Sequence, residues 1–138
     1  MRRVPRYLQL MEPKKLGRLG ERRAAWFYRL RGYAIVERNL RLSDGEIDLV
    51  ARRGKIAAIV EVKTRQTLAA GEGYEAVNRA KRERLVRLGE QYAARHPEAM
   101  LRYDILSLYW NGWRFEVRHF PDAFRPVADA QRPWLWRA

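Results

Sequence analysis

Two short alternating runs constrain this chain most: Glu46-Ile47-Asp48-Leu49-Val50-Ala51, and Ile56 through Lys63. Alternation of this kind predicts strands with one apolar and one polar face. Between them, Arg52-Arg53-Gly54-Lys55 offers a glycine able to take the positive φ of a tight turn. An antiparallel hairpin with Gly54-Lys55 at its tip sets Asp48 opposite Glu61 and Glu46 opposite Lys63. Side chains alternate faces along a strand, so these four polar groups are expected on one side. Ile47, Leu49, Ala58, Val60 and Val62 are expected on the other, packed on a helix. A one-residue slip would undo the pairing, so the reading depends on the turn.

The remaining elements follow from period and punctuation. Leu16 to about Arg31 reads as a helix with a stripe of Leu16, Leu19, Ala24, Phe27 and Leu30, stopped by Gly32. Ala34 to Leu42 reads as a strand, and Thr64 to Gly73 as a polar loop. A second helix is expected from about Glu75 to Arg95, with Val77, Ala80, Leu85, Leu88 and Tyr92 on one face and Pro97 marking its end. Leu101 to Trp110 and Trp113 to Phe120 form a second hairpin about Asn111-Gly112. The prediction is an α/β domain: a mixed sheet with flanking helices in the order αβββαββ, spanning residues 16–124. A basic arm, residues 1–15, precedes it. An irregular tail, residues 125–138, follows it; Pro121, Pro126 and Pro133 place the irregular stretch from Pro121 onward, and Trp134 and Trp136 are candidates to dock on the body.

Charge narrows the partners. The 138 residues hold 29 Lys and Arg against 16 Asp and Glu, a net +13, which points to a polyanion. The absence of cysteine excludes disulfides, thiolate zinc and a cysteine nucleophile, and two histidines are too few for a His-rich metal cluster. A catalytic metal would have to sit on carboxylates. No apolar run is long enough for a signal peptide or a membrane span, so a soluble cytoplasmic protein is expected, with no membrane partner. The arm reads either as a solvated segment or as a phosphate-contacting tail.

Facing carboxylates on adjacent strands repel, and a sequence that keeps them there needs compensation. A divalent cation supplies it, since Mg²⁺ takes carboxylate, water and phosphate oxygens; Mn²⁺ accepts the same donors. Lys63, on the same face, would then orient or deprotonate an attacking water, or stabilise charge on a phosphate. Asp, then Glu-x-Lys, suits metal-dependent phosphodiester hydrolysis. A solvated strand face with Lys63 paired to Glu46 fits the same spacing. With 24 arginines and 5 lysines in the chain, a lysine at position 63 is mildly surprising on that second reading.

A longer string of residues adds to this: Gly17-x-x-x-Glu21-x-x-Ala24, Gly32, Arg38-Asn39-x-Arg41, Gly45-Glu46-Ile47-Asp48-Leu49-Val50-Ala51 and Val60-Glu61-Val62-Lys63-Thr64-Arg65. It resembles the bacterial YraN-like family, which is similar to archaeal Holliday-junction resolvases and belongs with the PD-(D/E)XK nucleases. The likeness runs from Gly17 to Phe124, through Lys81, Arg102-Tyr103-Asp104 and Ala123-Phe124. It implies a restriction-endonuclease-like core, a metal-binding Asp48, a second carboxylate ligand in Glu61 and a motif lysine in Lys63. It also implies a helical acid in Glu21 and a homodimer like that of related resolvases. Ile47 stands where the family's proline is usual.

The expected function is therefore a Mg²⁺- or Mn²⁺-dependent endonuclease acting on DNA, with branched or structured DNA as the implied substrate. Catalysis would fall to Asp48, Glu61, Lys63 and Glu21, and phosphate contacts to Arg65, Arg79, Lys81, Arg82, Arg84 and Arg87. The alternative is a nucleic-acid-binding module that keeps the fold without efficient catalysis. A third reading is an assembly component using Trp134 and Trp136. Glu46 is expected to pair with Lys63, or else to add an acid near the metal. Lys81 either aims at the site or snorkels past its edge. Asp104 is expected in a structural ion pair with Arg102, and His119 as a packed residue.

Overall fold

The computed structural model describes residues 10–66 and 79–126. Its elements are α1 (Pro13–Arg29), β1 (Ala34–Leu42), β2 (Gly45–Arg53), β3 (Ile56–Arg65), α2 (Arg79–Arg95), β4 (Met100–Trp110) and β5 (Phe115–Phe124). The five strands form one mixed sheet in the order β1-β2-β3-β4-β5. Neighbours are antiparallel except β3 and β4, which run parallel. A parallel pair needs a crossover, and α2 lies in that connection.

The two helices cover opposite faces. Ala24, Phe27 and Tyr28 of α1 pack with Leu49, Ala51, Ala58, Val60, Leu106 and Leu108. Leu85, Leu88 and Tyr92 of α2 pack with Ile47, Val50, Ala57, Ile59 and Tyr103. Burial on both faces explains why β3 and β4 read as near-continuous apolar runs. α1 approaches β3 so closely that a Cβ at Gly20 would overlap Thr64 Cγ2. α1 ends where Gly32 takes a φ of 86° and Tyr33 N–H donates to Tyr28 O at 3.0 Å.

Several boundaries differ from the sequence reading. α1 begins at Pro13, within the segment read as a basic arm, because a proline is well placed in a first helical turn. Beside that start, Met11 N–H donates to Gln66 Oε1 and Gln66 Nε2 donates to Met11 O, both at 2.7 Å. β3 continues through Thr64 and Arg65, read above as loop. β5 starts at Phe115 and passes through Pro121 to Phe124, where an irregular segment was expected. It lies at a sheet edge, where a missing N–H costs little, and the ladder shifts register there, with Asp122 at φ 52°. The expected helical start at Glu75 and Val77, the loop through Gly73, most of the arm, and Trp134 and Trp136 lie outside the described residues.

Candidate active site

The β2–β3 hairpin has the register expected from the Gly54 turn, running from Arg53 opposite Ile56 to Leu49 opposite Val60. At the next position the ladder gives way: Asp48 Oδ2 accepts the Val62 N–H at 2.9 Å, so a side chain replaces a backbone partner. β1 is disturbed at the same level. Arg38 pairs with Leu49 and Leu40 with Ile47, and Asn39 between them has a left-handed φ of 49°. Asparagine is among the few residues that adopt this conformation at modest cost.

This disturbance changes which way the side chains face. Leu49 packs with α1 and Ile47 with α2, so alternation inverts across Asp48. The expectation that Ile47 and Leu49 share a face is therefore corrected, as is the pairing of Glu46 with Lys63. Glu46 Oε2 lies 3.9 Å from Arg41 Nε, while Lys63 Nζ lies 3.5 Å from Glu61 Oε1. With its amide nitrogen turned to the available acceptors, Asn39 donates to Glu46 Oε1 at 2.9 Å and Glu21 Oε1 at 3.3 Å. Asn39 was not singled out from sequence as a site residue, although it stands in the Arg38-Asn39-x-Arg41 motif. Its side chain ties the helical acid to the hairpin.

Asp48 and Glu61 stand side by side. Burial of Asp48 comes first, and the negative charge of Glu61 second, in pushing the Asp48 carboxyl up to about 7; the Val62 N–H opposes this and Glu21 adds slightly to it. Two half-buried carboxylates that hold a proton near neutrality form an oxygen donor set short of positive charge, which fits a hard divalent cation. Among the described residues no three Asp, Glu or His side chains gather as ligands, so the fit is to a two-carboxylate site completed by water and substrate. Glu21 lines the cavity of about 200 Å³ that holds Asp48, together with Arg18, Arg22, Arg38 and Asn39.

The cations divide into two groups. Lys81 of α2 reaches Lys63: a hydrogen bond and the like charge of Lys63 hold the Lys81 ammonium below its usual pKa. Lys81, expected either to aim at the site or to pass its edge, lies against Lys63. Arg65 follows on the same strand, and its buried Nε and Nη1 meet no acceptor among the described residues. Arg79, Arg82 and Arg87 instead line a separate depression with Val86 and Phe124, where Arg79 Nε donates to Glu83 Oε1 at 3.0 Å. Arg84 is exposed, its chain passing over Gly45. These four do not line the Asp48 cavity.

Asp104 serves the fold. Fully buried, it accepts from Arg102 Nε and Nη2 at 2.8 and 2.7 Å, from Tyr28 OH at 2.8 Å and from the Asp122 N–H at 3.0 Å. His119 Nε2 lies 3.0 Å from it. Burial alone would raise its pKa, but the bonds from His119, Arg102 and Asp122 outweigh burial and hold the carboxyl well below the usual range. Tyr28 rises above the ordinary tyrosine value, first through burial and then through Asp104. The network ties α1 to β4 and β5.

Comparison with known proteins agrees with the motif string. Residues 20–108 match the family described as "Uncharacterised protein family UPF0102". A UPF0102 protein of Syntrophotalea carbinolica is 40% identical over 111 residues, covering 79% of this chain and 90% of the relative. One from Parafrankia sp. is 44% identical over 98 residues, covering 70% and 83%. One from Flavobacterium psychrophilum is 34% identical over 116 residues, covering 83% and 98%. The chain belongs to the UPF0102 family, the YraN-like family of bacteria.

Proposed function

We propose that this protein is a divalent-metal-dependent endonuclease with a restriction-endonuclease-like core, acting on DNA. The observation that carries the reading is the Asp48–Glu61 carboxylate pair at the opening of the central hairpin, with Lys63 and Lys81 against it. The Val62 N–H needs only an oxygen from residue 48, which an asparagine would supply, so the facing negative charges serve no contact within the fold.

Mg²⁺ or Mn²⁺ held by Asp48 and Glu61 would supply positive charge for the phosphodiester oxygens. Glu61 Oε1 lies 3.5 Å from Lys63 Nζ, and Lys81 meets Lys63 from α2. As the neutral amine, Lys63 takes the proton of the attacking water as its oxygen bonds to phosphorus; the opposite P–O bond breaks, and the leaving oxygen takes a proton from solvent. Asn39 positions Glu21 and Glu46 at the rim, and Arg65, two residues beyond Lys63 on β3, is the phosphate contact that follows the motif. The arginines of α2 form a separate basic face for sequence-independent contacts to the backbone. A homodimer, as in similar resolvases, completes the proposal and is read from the mass in sedimentation.

The second reading is a nucleic-acid-binding module on the same fold. It is favoured by the fact that no third ligating side chain joins Asp48 and Glu61 among the described residues. Labelled four-way junction, duplex and single strand, each with Mg²⁺, Mn²⁺ or chelator, separate the two. Metal-dependent product that Asp48→Ala loses, with binding in chelator retained, establishes the nuclease. Salt-sensitive binding without product in any metal establishes the module.

A further inference from the structure

The exposed side of α1 carries Arg18, Arg22, Trp26 and Arg29, at spacings of four, four and three residues. Those spacings set them on one stripe of a helix. At one end of the stripe, Arg18 and Arg22 line the Asp48 cavity with Arg38 of β1. At the other, Arg29 and Arg38 line a second depression of about 400 Å³ with Ile35, Val36 and Glu37. Arg38 belongs to both, so the two depressions adjoin at its side chain, and together they make up the groove between α1 and the edge strand β1.

The chemistry of this groove is specific. Arg18, Arg22 and Arg38 have no hydrogen-bond or ion-pair partner among the described residues, whereas Arg79 on α2 is engaged by Glu83. Trp26 is 54% exposed, with the Arg29 guanidinium 5.5 Å from its ring centroid. A large indole left in water on the same helical stripe as the uncommitted Arg18 and Arg22 offers a stacking face and phosphate forks together. That pairing suits an unpaired nucleotide strand, whose bases are open to stacking; a duplex presents phosphates but keeps its base faces covered. Glu37 faces the groove from the β1 side, and Glu21 and Asp48 line its other end.

We propose that the α1–β1 groove binds single-stranded nucleic acid and leads it to Asp48, with phosphates on Arg18, Arg22 and Arg38 and a base stacked on Trp26. The proposal rests on reading Asp48 as the reaction centre, and it narrows the substrate to nucleic acid with an unpaired strand beside the scissile phosphate. The α2 arginines then contact a different part of the substrate.

The test uses the full chain in chelator, with a fluorescein-labelled 15-mer of dT and a blunt duplex of the same length. Wild type is expected to bind the single strand more tightly than the duplex. Trp26→Ala should weaken strand binding about tenfold or more, and Trp26→Phe should keep most of it. Arg22→Gln and Arg38→Gln should each reduce the salt slope for the strand by about 0.7. Equal strand affinity of Trp26→Ala and wild type would overturn the proposal. So would a preference for duplex, a loss confined to Arg82→Gln and Arg87→Gln, or binding to neither probe. Strand binding that depends on Trp26, alongside no metal-dependent cleavage of any substrate, would support the groove and remove the nuclease reading alone.

Discussion

Asp48→Asn is expected to make the metal-free protein more stable, although it removes the central residue of the proposed site. The Asp48 carboxyl is raised from 3.8 to about 7 by burial and by Glu61. A raised acid binds more protons folded than unfolded between those values, so stability falls as pH rises from about 4 to about 7 and stays low above. At about 1.36 kcal/mol per pH unit the ceiling is about 4 kcal/mol. Asp48 is half-buried, and solvent contact reduces this to about 1–2 kcal/mol. Asparagine keeps an oxygen for the Val62 N–H and carries no charge against Glu61. Urea unfolding in chelator, at pH 5 and pH 8, reads the effect. The variant's advantage over wild type should be smaller at pH 5 than at pH 8, which gives it the flatter profile. Parallel pH profiles, or a variant no more stable at pH 8, would refute the electrostatic account of the site.

Other expectations follow from the same structure. Asp104→Ala strands Arg102 and His119 around a buried gap and should cost about 3–5 kcal/mol in urea unfolding. The depressed Asp104 carboxyl contributes stability that is present above the ordinary carboxylate pKa and is lost as pH falls below it. An Asp104→Asn variant should accordingly show a shallower acid limb in thermal melts. Asn39→Val should lose about 1–2 kcal/mol because a β-branched residue resists φ 49°, while Asn39→Gly should retain stability and lose cleavage. Gly20→Ala should lower the melting temperature by a few degrees, roughly 3–4 for each 1 kcal/mol lost, because its Cβ meets Thr64.

The hairpin was legible because a single glycine at position 54 fixes its register and strands of period two follow. What the alternation concealed was its own interruption. Ile47 and Leu49 read as neighbours on one face, yet they serve opposite helices because both β1 and β2 are distorted at Asn39 and Asp48. The hint was the asparagine in a strand pattern, a residue tolerant of left-handed backbone. Pro121 concealed the last part of β5, since a proline breaks an interior strand but is accepted at an edge. The expected bond between Asp104 and Arg102 is present, while its extension to Tyr28 and His119 joins residues far apart in sequence, and no local pattern encodes it. Arg18 and Arg22 carried a usable signal, four apart on the polar side of α1, but their closeness to Asp48 depends on how α1 crosses the sheet.

Cleavage by one pair of proteins tests the nuclease account most directly: wild type and Asp48→Asn, at equal concentration in Mg²⁺, on an end-labelled four-way junction carrying an unpaired arm. The account predicts product from wild type, loss of that product on adding chelator, and none from the variant while it remains folded and bound to the junction. Equal product from both proteins, or product unaffected by chelator, would contradict it.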